Sequence, residues 1–209
     1  MKTMPMKTSI ATKRDQLVKS KLQDAMSYQE YRELVREHRA AGTSTGSEQN
    51  EALSNYTLLN DSRMKRLDKT SSLPEAVGAI LAKSDRPQTW LVITESWCGD
   101  AAQSMPVINK FAEAAPNVDL RVVLRDEHPE LMDEFLYNGT RSIPVLIVWD
   151  RQEEAVTHIW GPRPSTANKM VADYKAAHGK LDAEFKKDLQ VWYNKDRSAN
   201  IISDLKQFF

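Results

Sequence analysis

The chain has 209 residues, enough for one enlarged domain or a domain with a helical extension, and long enough to bury a proper core. Its 29 Lys and Arg balance 29 Asp and Glu, so no overall charge directs it to nucleic acid or another polyanion. A single cysteine excludes an internal disulfide framework and fits a reducing, cytoplasmic setting, and no stretch approaches the roughly 20 apolar residues of a membrane span.

Met1 to Asp15 is polar and lacks the apolar run of a signal peptide. From there to about Lys83 the texture is helical. Ser27 with Glu30 forms a capping box, in which hydroxyl and carboxylate each satisfy a free amide of the first turn. Tyr28, Tyr31, Leu34, Val35 and His38 then recur at three- and four-residue spacing, and Gly42 ends the helix. A loop over Gly42–Ser47 leads to a second helix from Glu48 to about Asp68, with Leu53, Tyr56, Leu59, Met64 and Leu67 on its apolar side. Ser72, Pro74 and Glu75 open a third, whose inner face carries Val77, Ile80 and Leu81. Arg63, Lys65, Arg66 and Lys69 lie close together and read first as a solvated helix face. The alternative is a basic rim that attracts an anionic thiol substrate or lowers a nearby thiol pKa.

At Trp90 the pattern changes to short apolar runs alternating with helices. Trp90–Thr94 is a buried strand, and a helix starts just after Cys98 with Ala102, Met105, Ile108, Phe111 and Ala112 facing inward. Val118, Leu120, Val122 and Leu124 alternate as a second strand; His128-Pro129 begins a helix that closes at Asn138-Gly139. Val145–Trp149 and Ala155–Trp160 are strands joined by a turn, and Ser165 caps a helix reaching His178. The order is β-α-β-α-β-β-α, a βαβ unit followed by a hairpin and a helix. Beyond Gly179, Leu181, Phe185, Leu189 and Trp192 mark a long amphipathic helix, and Ile201, Ile202, Leu205, Phe208 and Phe209 extend the apolar pattern. Three units follow: a helical extension over 1–86, a central domain over 87–179, and a C-terminal helical segment over 180–209 that packs on it.

Trp97-Cys98-Gly99-Asp100-Ala101 resembles the Trp-Cys-Gly-Pro-Cys active-site segment of the thioredoxin family, and it occupies the same place, at a strand end before a helix. Pro106 lies eight residues after Cys98, as does the proline in that family's first helix. Ile143-Pro144 matches the family's cis-proline, and Gly161 after the last strand also fits. The segment from Tyr56 to Thr70 with its flanking helices resembles a bacterial side branch of the family. The resemblance implies an α/β thioredoxin-like fold: a mixed four-stranded central sheet flanked by helices. It makes Cys98 the catalytic nucleophile, Trp97 an apolar wall, and Ile143 with Pro144 the substrate-binding pair. A cysteine at a helix N-terminus faces free amides and the positive end of the helix dipole, which favour the thiolate that attacks disulfides.

Three residues depart from the family pattern. Ala101 stands where the resolving cysteine belongs, so a mixed disulfide would have to be cleared by an external thiol. Asp100 replaces the motif proline, and its charge opposes thiolate formation. Val92, six residues before Cys98, stands where many thioredoxins carry a buried aspartate. Glu95 and Ser96, at a strand end where site residues are found, read first as polar residues of an exposed turn and alternatively as part of the site, and Arg163 as part of a plain turn that could otherwise meet an acidic ligand.

The leading expectation is therefore a monothiol thiol-disulfide exchange protein acting on small-thiol adducts or protein mixed disulfides. The alternative is a redox-inactive binding module that uses the substrate groove for docking. No cofactor beyond a low-molecular-weight thiol is expected, and neither is a metal: His38, His128, His158 and His178 lack ligand spacing. A shared iron–sulfur cluster of the monothiol-glutaredoxin kind is disfavoured, because the rest of that motif is absent. Partners among nucleic acids or membranes are not expected.

Overall fold

The computed structural model describes residues 12–209, so most of the Met1–Asp15 segment lies outside the described residues. Helix α1 (Lys13–Lys21) opens on a capping box in which the Thr12 side chain accepts the Asp15 N–H and the Asp15 carboxylate accepts the Thr12 N–H. Strand β1 (Met26–Ser27) leads into helix α2 (Tyr28–Ala41), which starts on the Ser27–Glu30 capping box and stops at Gly42, where φ is +68°. Helix α3 (Glu51–Thr70) begins later than its apolar spacing indicates, because the Asn50 side chain accepts the Leu53 N–H and fixes the start. Helix α4 (Glu75–Leu81) follows Pro74. Ion pairs lock α2 to α3: the buried Arg32 reaches buried Asp61 at 3.1 Å and half-buried Asp68 at 3.0 Å.

Strand β2 (Gln88–Thr94) is buried along its whole length because a strand pairs on either side of it. Helix α5 (Gly99–Ala114) carries the chain over to β3 (Val118–Leu124), which runs parallel to β2. On the other side, β4 (Val145–Asp150) pairs antiparallel with β2, and β5 (Ala155–Trp160) with β4. The sheet order is β1-β3-β2-β4-β5, so the sheet has five strands rather than the expected four. The extra strand is β1, with Met26 opposite Val122 and Ser27 opposite Arg121. Helix α6 (Pro129–Asp133) stops well before Asn138-Gly139, which instead forms a tight turn, with φ of +49° and +73°, inside a Tyr137–Thr140 bridge.

Helix α7 (Ser165–His178) follows β5, and Ser165 is its first residue rather than its cap, with its hydroxyl donated to Asp204. The C-terminal segment forms α8 (Ala183–Asp196), over the Leu181–Trp192 pattern, and a separate α9 (Ala199–Leu205), then a short 3-10 turn over Lys206–Phe208. Arg197 and Ser198 take left-handed φ values of +51° and +68°, which ends α8 and redirects the chain. The break sends the two helices to different cores. Ile201, Ile202 and Leu205 of α9 join the main core against the sheet and α5, where Trp90 and Phe111 also meet Phe209. Phe185, Leu189 and Tyr193 of α8 pack instead with Ala167 and Val171 of α7 in a separate cluster.

Candidate active-site groove

Strand β2 delivers the segment Glu95–Cys98 to the N-terminus of α5, and Cys98 is the residue that caps that helix. Its Sγ accepts the Ala101 N–H at 3.4 Å and donates to the Ile143 carbonyl at 3.3 Å. The Ile143–Pro144 peptide bond is cis and lies beside the sulfur at the start of β4. Gly161 backs this arrangement: its φ is +128°, and a Cβ there would stand 2.2 Å from the Pro144 carbonyl oxygen. Cys98, Gly99, Asp100, Trp97 and Ile143 thus come together at one place, while Ala101 lies beneath them, fully buried in α5.

Cys98 is only 7% exposed. Burial pushes its thiol up to about 12, and the Asp100 carboxylate adds to that; the Ala101 amide and the Arg163 charge pull the other way without prevailing. Burial thus opposes the thiolate that the amides at the helix N-terminus favour. Asp100 is largely but not fully covered, its side chain 12% exposed, with Arg163 Nε 2.8 Å from one carboxylate oxygen and the Tyr193 hydroxyl donating to the other at 2.9 Å. Its carboxyl is raised by burial despite these partners. Arg163 accordingly is neither a plain turn residue nor a free ligand for substrate. It neutralises Asp100 across the gap between the β5–α7 loop and α5.

The expectation of an exposed turn at Glu95 and Ser96 is corrected, because both are buried by the N-terminal extension. Glu95 accepts the Asp126 N–H at 2.9 Å and the Thr45 hydroxyl. Ser96 accepts the Thr45 N–H at 3.0 Å and shares a hydrogen bond with the Thr57 hydroxyl, while its carbonyl accepts from Asn60. Burial raises the Glu95 carboxyl, and the two donors oppose that. The extension is therefore built into the segment that carries Cys98. Thr45, Thr57 and Asn60 escaped the sequence reading because polar residues in a loop and on a helix carry no periodic signal of what they meet.

The basic residues of α3 are dispersed. Arg63 lines the groove over Cys98, Lys65 and Lys69 line a different one between α2 and α3, and Arg66 donates to Asn194 of α8. The groove over Cys98 has a volume of about 430 Å³. Trp97 forms one wall and carries the Arg125 guanidinium 4.7 Å from its ring centroid. Helix α8 forms the roof: Leu189 and Gln190 face the groove, and Gln190 accepts from the Gln103 amide at 2.9 Å. Among the described residues no group of three or more His, Cys, Asp or Glu is placed to hold a metal ion, and no helix is long and apolar enough to cross a membrane.

A parallel β2–β3 pair crossed over by α5, an antiparallel β4–β5 hairpin, and a cysteine capping α5 beside a cis-proline define the core of this molecule. The family model described as Thioredoxin matches residues 46–175, well over half of the chain. This chain belongs to the thioredoxin family. The match begins inside the extension, at Gly46, so the matched range includes α3 and α4 as well as strands β2 to β5, while β1 lies outside it. Two solved structures share the fold. One is a protein of unknown function from Pseudomonas aeruginosa, 17% identical, with a TM-score of 0.53 over 71% of this chain and 82% of that one. The other is an HIV epitope scaffold, also 17% identical with a TM-score of 0.53, over 71% of this chain and 83% of its own. At that identity they bear on the fold alone. No curated protein matches the chain.

Proposed function

We propose that this protein is a thioredoxin-fold binding module whose recognition surface is the groove over Cys98, with the thiol serving as part of the groove floor. The observation that carries this reading is the state of that thiol: buried, hydrogen-bonded to the Ile143 carbonyl, and pushed up to about 12. A thiol held up in this way stays in its protonated form at neutral pH, whereas exchange chemistry in this fold depends on a thiolate present in a substantial fraction. The lack of a second cysteine at Ala101 points the same way.

A second reading, monothiol exchange on mixed disulfides, is favoured by one feature: Cys98 lines the groove and caps α5. In that scheme the Cys98 thiolate attacks one sulfur of a mixed disulfide and releases the other as a thiolate. A low-molecular-weight thiol then cleaves the adduct and restores Cys98. Alkylation by iodoacetamide as a function of pH separates the two. The binding-module reading expects slow modification with a midpoint above about 9; a rapid reaction with a midpoint below about 7.5 would replace it with monothiol exchange.

A further inference from the structure

The cations around the groove are not equally engaged. Arg125 pairs with Asp126 at 2.8 Å, Arg141 with Asp133 at 2.7 Å, and Arg163 with Asp100 at 2.8 Å. Arg63 and Lys186 also line the groove, and among the described residues neither has a carboxylate within ion-pair distance. Asp100 is the single acidic residue in the lining, and Arg163 already holds it. The groove thus presents two uncommitted positive charges, from α3 on one side and α8 on the other.

Arg63 is the more telling of the two. Its guanidinium has five N–H donors, of which one is accounted for by a 2.9 Å bond from Nη1 to Asn60. Partial burial pulls its pKa below the ordinary arginine value, a cost that an anion in the groove would relieve. Its Nη1 lies 3.6 Å, and the Gln190 amide nitrogen 3.7 Å, from where a side chain on Gly99 would begin, so the glycine leaves the floor open between them. Apolar surface is supplied by Leu53, Tyr56, Trp97, Ile143 and Leu189. A volume of about 430 Å³ is that of a small-molecule site and accommodates one or two rings or a short chain.

We propose that the groove over Cys98 binds an amphipathic organic anion, with its apolar body against Trp97 and Leu189 and its oxyanion head held between Arg63 and Lys186. This rests on the binding-module reading in treating the groove as a recognition surface, but it does not require the thiol to be inert. No bond is made or broken.

The test is isothermal titration calorimetry of the full chain with naphthalene sulfonate, and with naphthalene methanol as the uncharged counterpart of the same ring. The expected result is one-to-one binding of the sulfonate, at least about tenfold tighter than the alcohol. Arg63→Gln should weaken the sulfonate about tenfold or more, Arg63→Lys should retain part of the affinity, and Lys65→Gln, whose parent lines the other groove, should change nothing. Unchanged thermal melting of Arg63→Gln shows that the loss is not unfolding; should that variant melt early, Lys186→Gln on exposed α8 takes its place. Equal binding of sulfonate and alcohol, no binding of either, or full affinity in both charge-removing variants overturns the proposal. Fast alkylation of Cys98 at neutral pH, alongside Arg63-dependent sulfonate binding, would overturn the inert-thiol reading and leave the anion site standing.

Discussion

Replacing Asp100 with asparagine isolates the electrostatic part of what suppresses Cys98. Burial is the first cause of the raised thiol and the Asp100 charge the second. At an effective dielectric of ~20, a unit charge about 6 Å from a thiolate opposes it by about 2.8 kcal/mol, equivalent to about 2 pH units. Asp100→Asn should therefore lower the thiol from about 12 to near 10, with Arg163 now opposing nothing but burial. At fixed pH below both values the thiolate fraction rises about 100-fold, while each thiolate becomes about tenfold less nucleophilic because reactivity falls with pKa. The net expectation is an iodoacetamide rate about tenfold faster at pH ~8. Tyr193→Phe is the control, since it removes a hydrogen bond to Asp100 but leaves the charge, and it should change the rate far less. If Asp100→Asn reacts no faster than wild type while keeping its circular dichroism spectrum, or if Tyr193→Phe matches it, the charge is not what holds the thiol down.

Three further outcomes are expected. Gly161→Ala should cost more than about 3 kcal/mol in urea denaturation, because its Cβ would lie 2.2 Å from the Pro144 carbonyl at a φ of +128°. Glu95 and Asp100 both have native carboxyls raised by burial, so the folded state binds more protons than the unfolded one between the ordinary carboxylate range and their native values. Their contribution is complete below the unfolded pKa and is lost as pH rises through the native ones; urea midpoints should fall over that window, and Glu95→Gln should flatten the slope while costing about 1–3 kcal/mol. Phe209→Ala should cost about 1–3 kcal/mol by thermal melting, because its ring meets both Trp90 at 5.8 Å and Phe111 at 6.4 Å.

The sheet and its central helix were legible because buried strands and inward helix faces impose apolar patterns, as in Trp90–Thr94 and Met105–Ile108–Phe111. The place of Cys98 was legible because it sits between two such patterns. Strand β1 was not, since two residues cannot display an alternation. Nor was the break at Arg197–Ser198: the apolar spacing runs on through Ile201, and neither residue is a glycine or proline that would announce a left-handed turn. Least legible was what surrounds the thiol. Tyr193 stands 93 positions from the Asp100 it bonds and Thr45 stands 51 from Ser96, so the electrostatics of the site are set by partners that the local sequence does not name.

The break between α8 and α9 also divides the groove by mechanical origin. Its floor, from Cys98 to Ile143, belongs to the main core, whereas its roof belongs to the small α7–α8 cluster. Three polar contacts tie α8 to the rest of the groove: Tyr193 to Asp100 and Gln190 to Gln103 on α5, and Asn194 to Arg66 on α3. A cluster of five buried residues has far less to lose on opening than the main core, so local opening of α8 is expected to precede unfolding of the sheet. Amide hydrogen exchange along α8 should then be faster than along α5. The accessibility of Cys98 to any reagent or ligand would follow that local opening rather than the unfolding of the domain.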